Sequence, residues 1–397
     1  MREFVSRRAV EARWARVSAW LRERDYQALA VLQPENVEYL SGWHLDVAPW
    51  ERPVAVVVPA DGTPFMVLHE LSTNHVRLAR ERGSVYIDDI VHYAERPSTG
   101  RRPWTRVEWT ALIADSFERH GLGKANVAVD GPVGRLTSVS LSLPGMRFTA
   151  EPKLMRMLRT VKDAEELEFM RAAAGLTDYG QEVYKSLVKP GRLVADVDFE
   201  AVRQMRLEGA KRFPGMSLAA RCVSLAGPSS ASPHGTPAGS DSTFEAGHGI
   251  VNIIVVTLAG YNVENERTWF LGKPSDDQRS AFECIRRAQA AGVDRCRAGE
   301  TVSAIDAAAQ SVIEAEGYGE QTFHRTGHGI GLAGHEFPED MAFNHRPLLE
   351  GEVYTIEPGI YIHGLGGFRI DDTVIVGGEP EILTHTPRDI EQQTIAT

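Results

Sequence analysis

The second half of this chain repeats itself, and a repeat of that length forces two similar units to pack about one shared core. Gly191-Arg192-Leu193-Val194-Ala195-Asp196-Val197-Asp198 aligns with Gly299-Glu300-Thr301-Val302-Ser303-Ala304-Ile305-Asp306. Without a gap, Val194/Val302, Val197/Ile305, Asp198/Asp306, Ala201/Ala309 and Gly209/Gly317 then coincide. Each half reads as helix, glycine turn, helix and an antiparallel strand pair. In the strands, residues 247–253 lie over 351–357, which makes Ile253 and Glu357 pseudo-equivalent. The helix opening the first half is predicted to start at Asp163, with Glu166 three residues later as its capping-box partner, and to stop at Pro190-Gly191.

The chain ahead of the repeat has a different pattern. Val10, Trp14, Val17, Trp20 and Leu21 mark one face of a helix, and Ala28-Leu29-Ala30-Val31-Leu32 reads as a buried strand. A short helix stopped by Gly42 follows, then a hairpin turning at Asp61-Gly62. The expectation is an α+β protein of two domains: an α/β domain over 1–155 without a phosphate-binding glycine signature, and the repeated domain over 156–397. Composition narrows the partners. Acidic residues outnumber basic ones by 54 to 43, for a formal charge of −11, which excludes nucleic acid as the main partner. No apolar run approaches the ~20 residues of a membrane span. Cys222, Cys284 and Cys296 lack CxxC spacing and read as reduced packing thiols of a cytoplasmic protein.

Chemistry concentrates near the end. His324, His328 and His335 fall within twelve residues, interleaved with Gly327, Gly329 and Gly331, and histidine is both the common metal ligand and the neutral-pH acid or base. Two polar islands follow, Glu357-Pro358-Gly359 and Arg369-Ile370-Asp371-Asp372-Thr373. With Pro233-His234, Gly260-Tyr261, Arg267-Thr268 and His335-Glu336, these motifs resemble in order and spacing the pita-bread fold shared by Xaa-Pro peptidases, methionine aminopeptidases and creatinase. Tyr39-Leu40-Ser41-Gly42 and Arg52-Pro53 extend the resemblance to the creatinase/prolidase N-terminal domain.

The resemblance implies specific roles. Metallopeptidases of the family use five ligands, whose positions here are Ile253, Glu264, His328, Glu357 and Asp371. Isoleucine coordinates nothing, so a dinuclear centre is not expected; Glu264, His328, Glu357 and Asp371 suit at most one Zn, Mn or Fe ion. The creatinase branch implies instead a metal-free site. There His234 is the acid/base, Glu266 and Glu357 hold a planar cation, His328 and His335 bond the substrate, and Arg52 or Arg369 takes its carboxylate. Tyr261 is a candidate lining residue, and Glu339 stands where creatinase has a second carboxylate-binding arginine. His324 is expected to be structural or to support a pocket residue from behind.

The leading expectation is therefore creatinase-like, metal-independent hydrolysis of a C–N bond in a small cationic substrate, with no cofactor. The alternatives are a one-metal Xaa-Pro peptidase and a non-catalytic binding module. The family further implies a homodimer, with Arg52 near the neighbour's pocket; Trp43, His44 and Trp50 beside it either line that pocket or form a plain exposed loop.

Overall fold

The computed structural model describes residues 2–44, 51–94, 105–106, 109–235, 239, 241–337 and 340–397. Two compact units result, Arg2–Leu158 and Arg159–Thr397. Trp50 and Glu339, singled out above, lie outside the described residues.

In the first unit seven strands form one sheet: β1 (Ala28–Val31), β2 (Ala55–Pro59), β3 (Phe65–His69), β4 (Asp89–Tyr93), β5 (Thr105–Arg106), β6 (Asn126–Val129) and β7 (Arg147–Ala150), in the order β5-β4-β3-β2-β1-β6-β7. The helices are α1 (Arg7–Glu23), α2 (Pro34–Ser41), α3 (Thr73–Glu81), α4 (Trp109–Arg119), α5 (Thr137–Ser142) and α6 (Pro152–Thr160). Helix α1 starts where the Ser6 hydroxyl accepts from Ala9 N, and it buries Val10, Val17 and Leu21. The strands β1, β2 and β3 are buried throughout, which is why they read as continuous apolar runs rather than alternating ones. Gly42 ends α2 at φ 73°, and an added Cβ would meet the Tyr86 ring at 2.8 Å.

The second unit carries the repeat. Helices α7 (Ala164–Leu187) and α8 (Val194–Arg212) precede β8 (Leu218–Ala226), β9 (Gly249–Leu258) and β10 (Tyr261–Leu271). Helices α9 (Asp276–Asp294) and α10 (Val302–Ala315) precede β11 (Val353–Ile356), β12 (Gly359–Ile362), β13 (Gly366–Arg369) and β14 (Asp371–Ile375), then β15 (Glu381–Ile382) and β16 (Thr394–Ile395). The main sheet runs β11-β14-β10-β9-β8, with β15 on β14 and β16 on β10; β12 and β13 pair separately.

The pseudo-symmetry holds bond by bond. Helices α8 and α10 both open on the aligned valines. Gly191 N donates to Phe244 O, as Gly299 N does to Leu348 O; Val194 N donates to Ser242 O, as Val302 N does to Arg346 O. Asp198 accepts from Ser224 N, and Asp306 accepts from Thr326 N. Each aspartate thus ties its helix to the strand or loop that follows. Asp163 caps α7 with Glu166 in the reciprocal bond, as the spacing predicts.

The two faces of the sheet differ, and that difference positions the site. Asn252, Ile254, Val256 and Leu258 of β9 are buried beneath the helices, whereas Ile253, Val255 and Thr257 are only half-buried on the opposite face. In β10 the same alternation sends Asn265 and Arg267 to the back and Glu264 and Glu266 to the open face, because Glu266 pairs with Ile253 and Glu264 with Val255.

Candidate active site

Register builds the site before any side chain is considered. Val223 of β8 pairs with Ile253 of β9, Ile253 with Glu266 of β10, and Glu266 with Asp371 of β14. One residue beyond the last pair of β11, Ile356 with Asp372, comes Glu357, level with Asp371. A single row thus crosses five strands as Val223, Ile253, Glu266, Asp371, Glu357. Among the last four, the inner pair Glu266/Asp371 and the outer pair Ile253/Glu357 are each related by the repeat. Glu264 lies in the adjacent row, between Val255 and Thr373, whose hydroxyl donates to Glu264 O at 2.9 Å.

The residues that alternate with these acids lock the sheet from behind. Arg267 and Asp372, both fully buried, pair at 2.8 Å, and Asp372 also accepts from Arg388, Thr384 and Gln289. Burial opposes ionisation of Asp372, yet the two guanidinium groups hold its carboxyl below the usual range. Neither member of this pair faces the site.

His328 closes the front of the row. Its Nδ1 donates to Gly329 O at 2.9 Å, which turns Nε2 toward Glu357 at 3.3 Å and Glu264 at 3.6 Å. Proton exchange with Glu357 makes these groups an ion pair. Burial opposes charge on both, but the mutual hydrogen bond and attraction raise His328 and bring Glu357 down to about 2. The other acids go the opposite way. Burial pushes Glu264 up to about 7, and burial with the neighbouring carboxylates takes Asp371 well above its usual range; at Glu266 burial pushes the same way and the paired Arg369 guanidinium opposes it. His335 is exposed and stacks on His328, with centroids 3.7 Å apart; burial of part of its ring and the His328 charge lower its basicity.

Why the run around His328 is glycine-rich follows from packing. A Cβ on Gly327 would lie 1.9 Å from Thr355 O, and one on Gly329 would lie 2.7 Å from Phe337 O. One on Gly331 would meet both Glu336 Oε2 and Lys162 Cε at 2.9 Å. The glycines therefore admit neighbouring backbone and the Glu336–Lys162 pair rather than a ligand. Glu336 is buried, bonded by Lys162 Nζ at 3.2 Å and by Arg159, and its Oε1 accepts from Ala333 N at 3.1 Å. This clamp fixes the turn that carries His335.

Arg369 organises the remaining residues. It pairs with Glu266 through both carboxylate oxygens, donates to Tyr361 OH at 3.2 Å, and donates to Pro233 O at 3.2 Å. His324 Nδ1 bonds Arg325 O at 2.7 Å, so the Tyr361 hydroxyl donates to His324 Nε2, also at 2.7 Å. His324 thus reaches the arginine of the acid row through two hydrogen bonds, with Tyr361 between them. The bond to Pro233 O places exposed His234 beside the same group. Tyr361 and Glu336 were not singled out by sequence as site residues, and Lys162 lies in a segment that reads as a linker. Only the Glu357-Pro358-Gly359 motif points toward Tyr361.

Tyr261 is fully buried behind the sheet, donating to Glu166 Oε1 at 3.0 Å and stacking on Phe169, so it packs α7 rather than lining the open face. Arg52 belongs to the first unit and pairs with Glu51 at 2.9 Å. All three cysteines are buried thiols, with Asn252 donating to Cys222 Sγ.

A metal fits this donor set as chemistry and charge rather than as a preformed cage. Among the described residues no trio of His, Cys, Asp or Glu converges tightly enough to be one. However, Asp371 Oδ1 accepts from Ile356 N at 3.1 Å while its buried Oδ2 has no partner, and His328 offers Nε2. Glu264, Asp371 and Glu357 carry more negative charge than His328 alone can balance. One divalent ion held by Glu264, His328, Glu357 and Asp371 suits these N and O donors, with His328 oriented through its other nitrogen. A second ion has only Ile253 where an acid is needed.

The sequence profile described as "Metallopeptidase family M24" matches residues 168–377, and "Creatinase/Prolidase N-terminal domain" matches 13–161. The chain is 30% identical over 376 residues to "Putative dipeptidase YkvY" of Bacillus subtilis, covering 94% of this chain and 98% of that one. It is 27% identical to the "Xaa-Pro dipeptidase" of Lactobacillus helveticus, covering 95% and 97%. The crystal structure of dipeptidase PepE from Mycobacterium ulcerans superposes with a TM-score of 0.81 at 29% identity, over 98% and 99% of the two chains. These relatives correct the expectation of creatinase-like, metal-independent amidine hydrolysis: they carry dipeptidase names. The physical reason is in the row itself. Glu266, expected to hold a planar cation of the substrate, already holds the Arg369 guanidinium.

Proposed function

The chain belongs to metallopeptidase family M24, a hydrolase with its N-terminal creatinase/prolidase domain, and on that premise we propose that it is a one-metal dipeptidase of the Xaa-Pro class. The observation that carries this reading is the placement of Glu264, Glu357 and Asp371 on one face of the sheet with His328 against two of them, and with Asp371 Oδ2 buried and unpartnered. Zn, Mn or Fe at that place supplies Lewis acidity that polarises a scissile carbonyl and makes water a better nucleophile at neutral pH.

The chain's own residues supply the rest. The bond from its Nδ1 to Gly329 O keeps His328 Nε2 directed at the acids. Glu357, ionised, faces that nitrogen. Arg369 neutralises Glu266, so the inner row does not repel an arriving carboxylate. His335, exposed and of lowered basicity, stays neutral and can donate to a substrate carbonyl; His234 stands ready to exchange a proton with the departing nitrogen. A homodimer in the cytoplasm, with Arg52 serving the neighbouring subunit's pocket, is part of the proposal on the strength of the family resemblance. Mixed dimers of R52A and H328A subunits would regain activity under it, and a monomer at assay concentration would remove it.

The deciding experiment is metal analysis of protein purified without added ions, with Ala-Pro and Gly-Pro assays before and after chelation. About one equivalent of metal, and activity lost to chelator and restored by Mn or Zn, is the expected result. Failure to hydrolyse either dipeptide with Zn, Mn or Fe would overturn the reading.

A further inference from the structure

The open face continues past the acids. On β9 and β8, Ile253, Val255 and Val223 are half-buried side chains on the side that bears Glu264 and Glu266. Their back-face neighbours Asn252, Ile254 and Ser224 are buried. Register extends this apolar strip to one cation: Glu264 pairs with Val255, and Val255 pairs with Arg221 of β8. Arg221 is exposed, and among the described residues it has no hydrogen-bond or ion-pair partner. The face thus has an acidic end, an apolar middle and a basic end.

We infer that Arg221 binds the free C-terminal carboxylate of the substrate, with the apolar side chain or proline ring of the second residue lying on Val223, Ile253 and Val255. This inference rests on the dipeptidase reading and narrows it to zwitterionic substrates. Length supports the assignment. Two strand spacings of about 4.8 Å put the Glu264 and Arg221 backbones about 10 Å apart. With the scissile carbonyl at the ion, the second residue spans about 3.4 Å, and the arginine side chain with one ~2.9 Å hydrogen bond covers the remainder, whereas each further residue adds about 3.4 Å. The planar guanidinium matches a carboxylate bidentately, which a lysine would not. Ile253 has a part here too. In place of a charged ligand it supplies the centre of the strip.

An arginine on an edge strand also blocks edge-to-edge pairing, and the variants must separate the two roles. Ala-Pro and Ala-Pro amide are compared in wild type, R221A, R221K and R221E. The expected result is a KM for Ala-Pro raised about tenfold or more in R221A, with kcat within about twofold, the amide unaffected, and partial recovery in R221K. R221E keeps a charge on the edge, so the edge-blocking role leaves its kinetics unchanged, whereas carboxylate binding makes it prefer the amide. Equal KM values for the acid across these variants would overturn the inference. A turnover-free readout distinguishes this failure from failure of the dipeptidase reading: calorimetric titration with proline. Affinity about tenfold weaker in R221A supports the site even if no peptide is cleaved. Equal affinity, or no binding to wild type, overturns it.

Discussion

Glu266 and Arg369 stand 103 residues apart, and only the sheet brings them together. A glutamate beside an arginine motif is equally compatible with a substrate cation and an internal one. Distance along the chain hides which applies, and this is why the expectation for Glu266 failed while its position in the pocket was legible. The pair makes a measurable claim. Removing either partner strands a buried charge, so E266A and R369A should each cost about 3–5 kcal/mol, while the double variant should cost much less than their sum. Urea unfolding of the four proteins checks this, and additive losses would mean the pair is not coupled. Glycines give a second test. G327A drives a Cβ into Thr355 O and should cost about 3 kcal/mol. G334A, whose nearest atom is Glu264 Oε1 at 4.0 Å, should stay within about 0.5 kcal/mol of wild type.

Strand register was the most legible local feature where the repeat supplied it. Aligning 247–253 with 351–357 puts Ile253 opposite Glu357 in the pseudo-symmetry, and the sheet places both at the ends of one four-residue stretch of the row. The same pattern could not reveal β8, whose Leu218–Ala226 mixes alanine, serine and arginine without clean alternation. Nor could it reveal the tie between the start of α7 and the His335 turn. Lys162 reads as one basic residue of a linker, yet its ammonium is buried against Glu336. K162M should leave Glu336 with Arg159 alone and destabilise the unit by about 3 kcal/mol, and K162M/E336Q should recover most of that. If the clamp positions His335, the recovered double variant will still show reduced kcat at near-normal KM. Its His335 ring proton resonances will also have lost the shift caused by stacking on His328. Normal kcat and an unchanged resonance would reduce the clamp to a structural role.

The molecule carries a formal charge of −11, and part of that charge lies where water cannot screen it. An unfolded glutamate releases its proton near 4.5, but folded Glu264 keeps its own to about 7. Between those values the folded state binds more protons, so stability falls as pH rises through them. Glu357 has the opposite sign: its contribution is present above 4.5 and lost as pH falls toward 2. Chelated protein should therefore melt lower at about pH 8.5 than at about pH 6, and Mn or Zn should raise the melting temperature more at the higher pH. An equal increment at both would count against the acids as the ion's holders. The division into two units and the α+β class were readable because periodicity and a long internal repeat need no distant contacts. The identity of the cation balancing Glu266 was not, since charge balance is settled only in three dimensions. There remains the glycine-rich string around His328, the most conspicuous stretch of the sequence. Its glycines answer to a carbonyl and a neighbouring ion pair, so a descendant that had lost every carboxylate of the row would still be obliged to keep them. That string marks ancestry. A survey for working enzymes should instead screen the residues at positions 253, 264, 266 and 371, where this chain has Ile253, Glu264, Glu266 and Asp371.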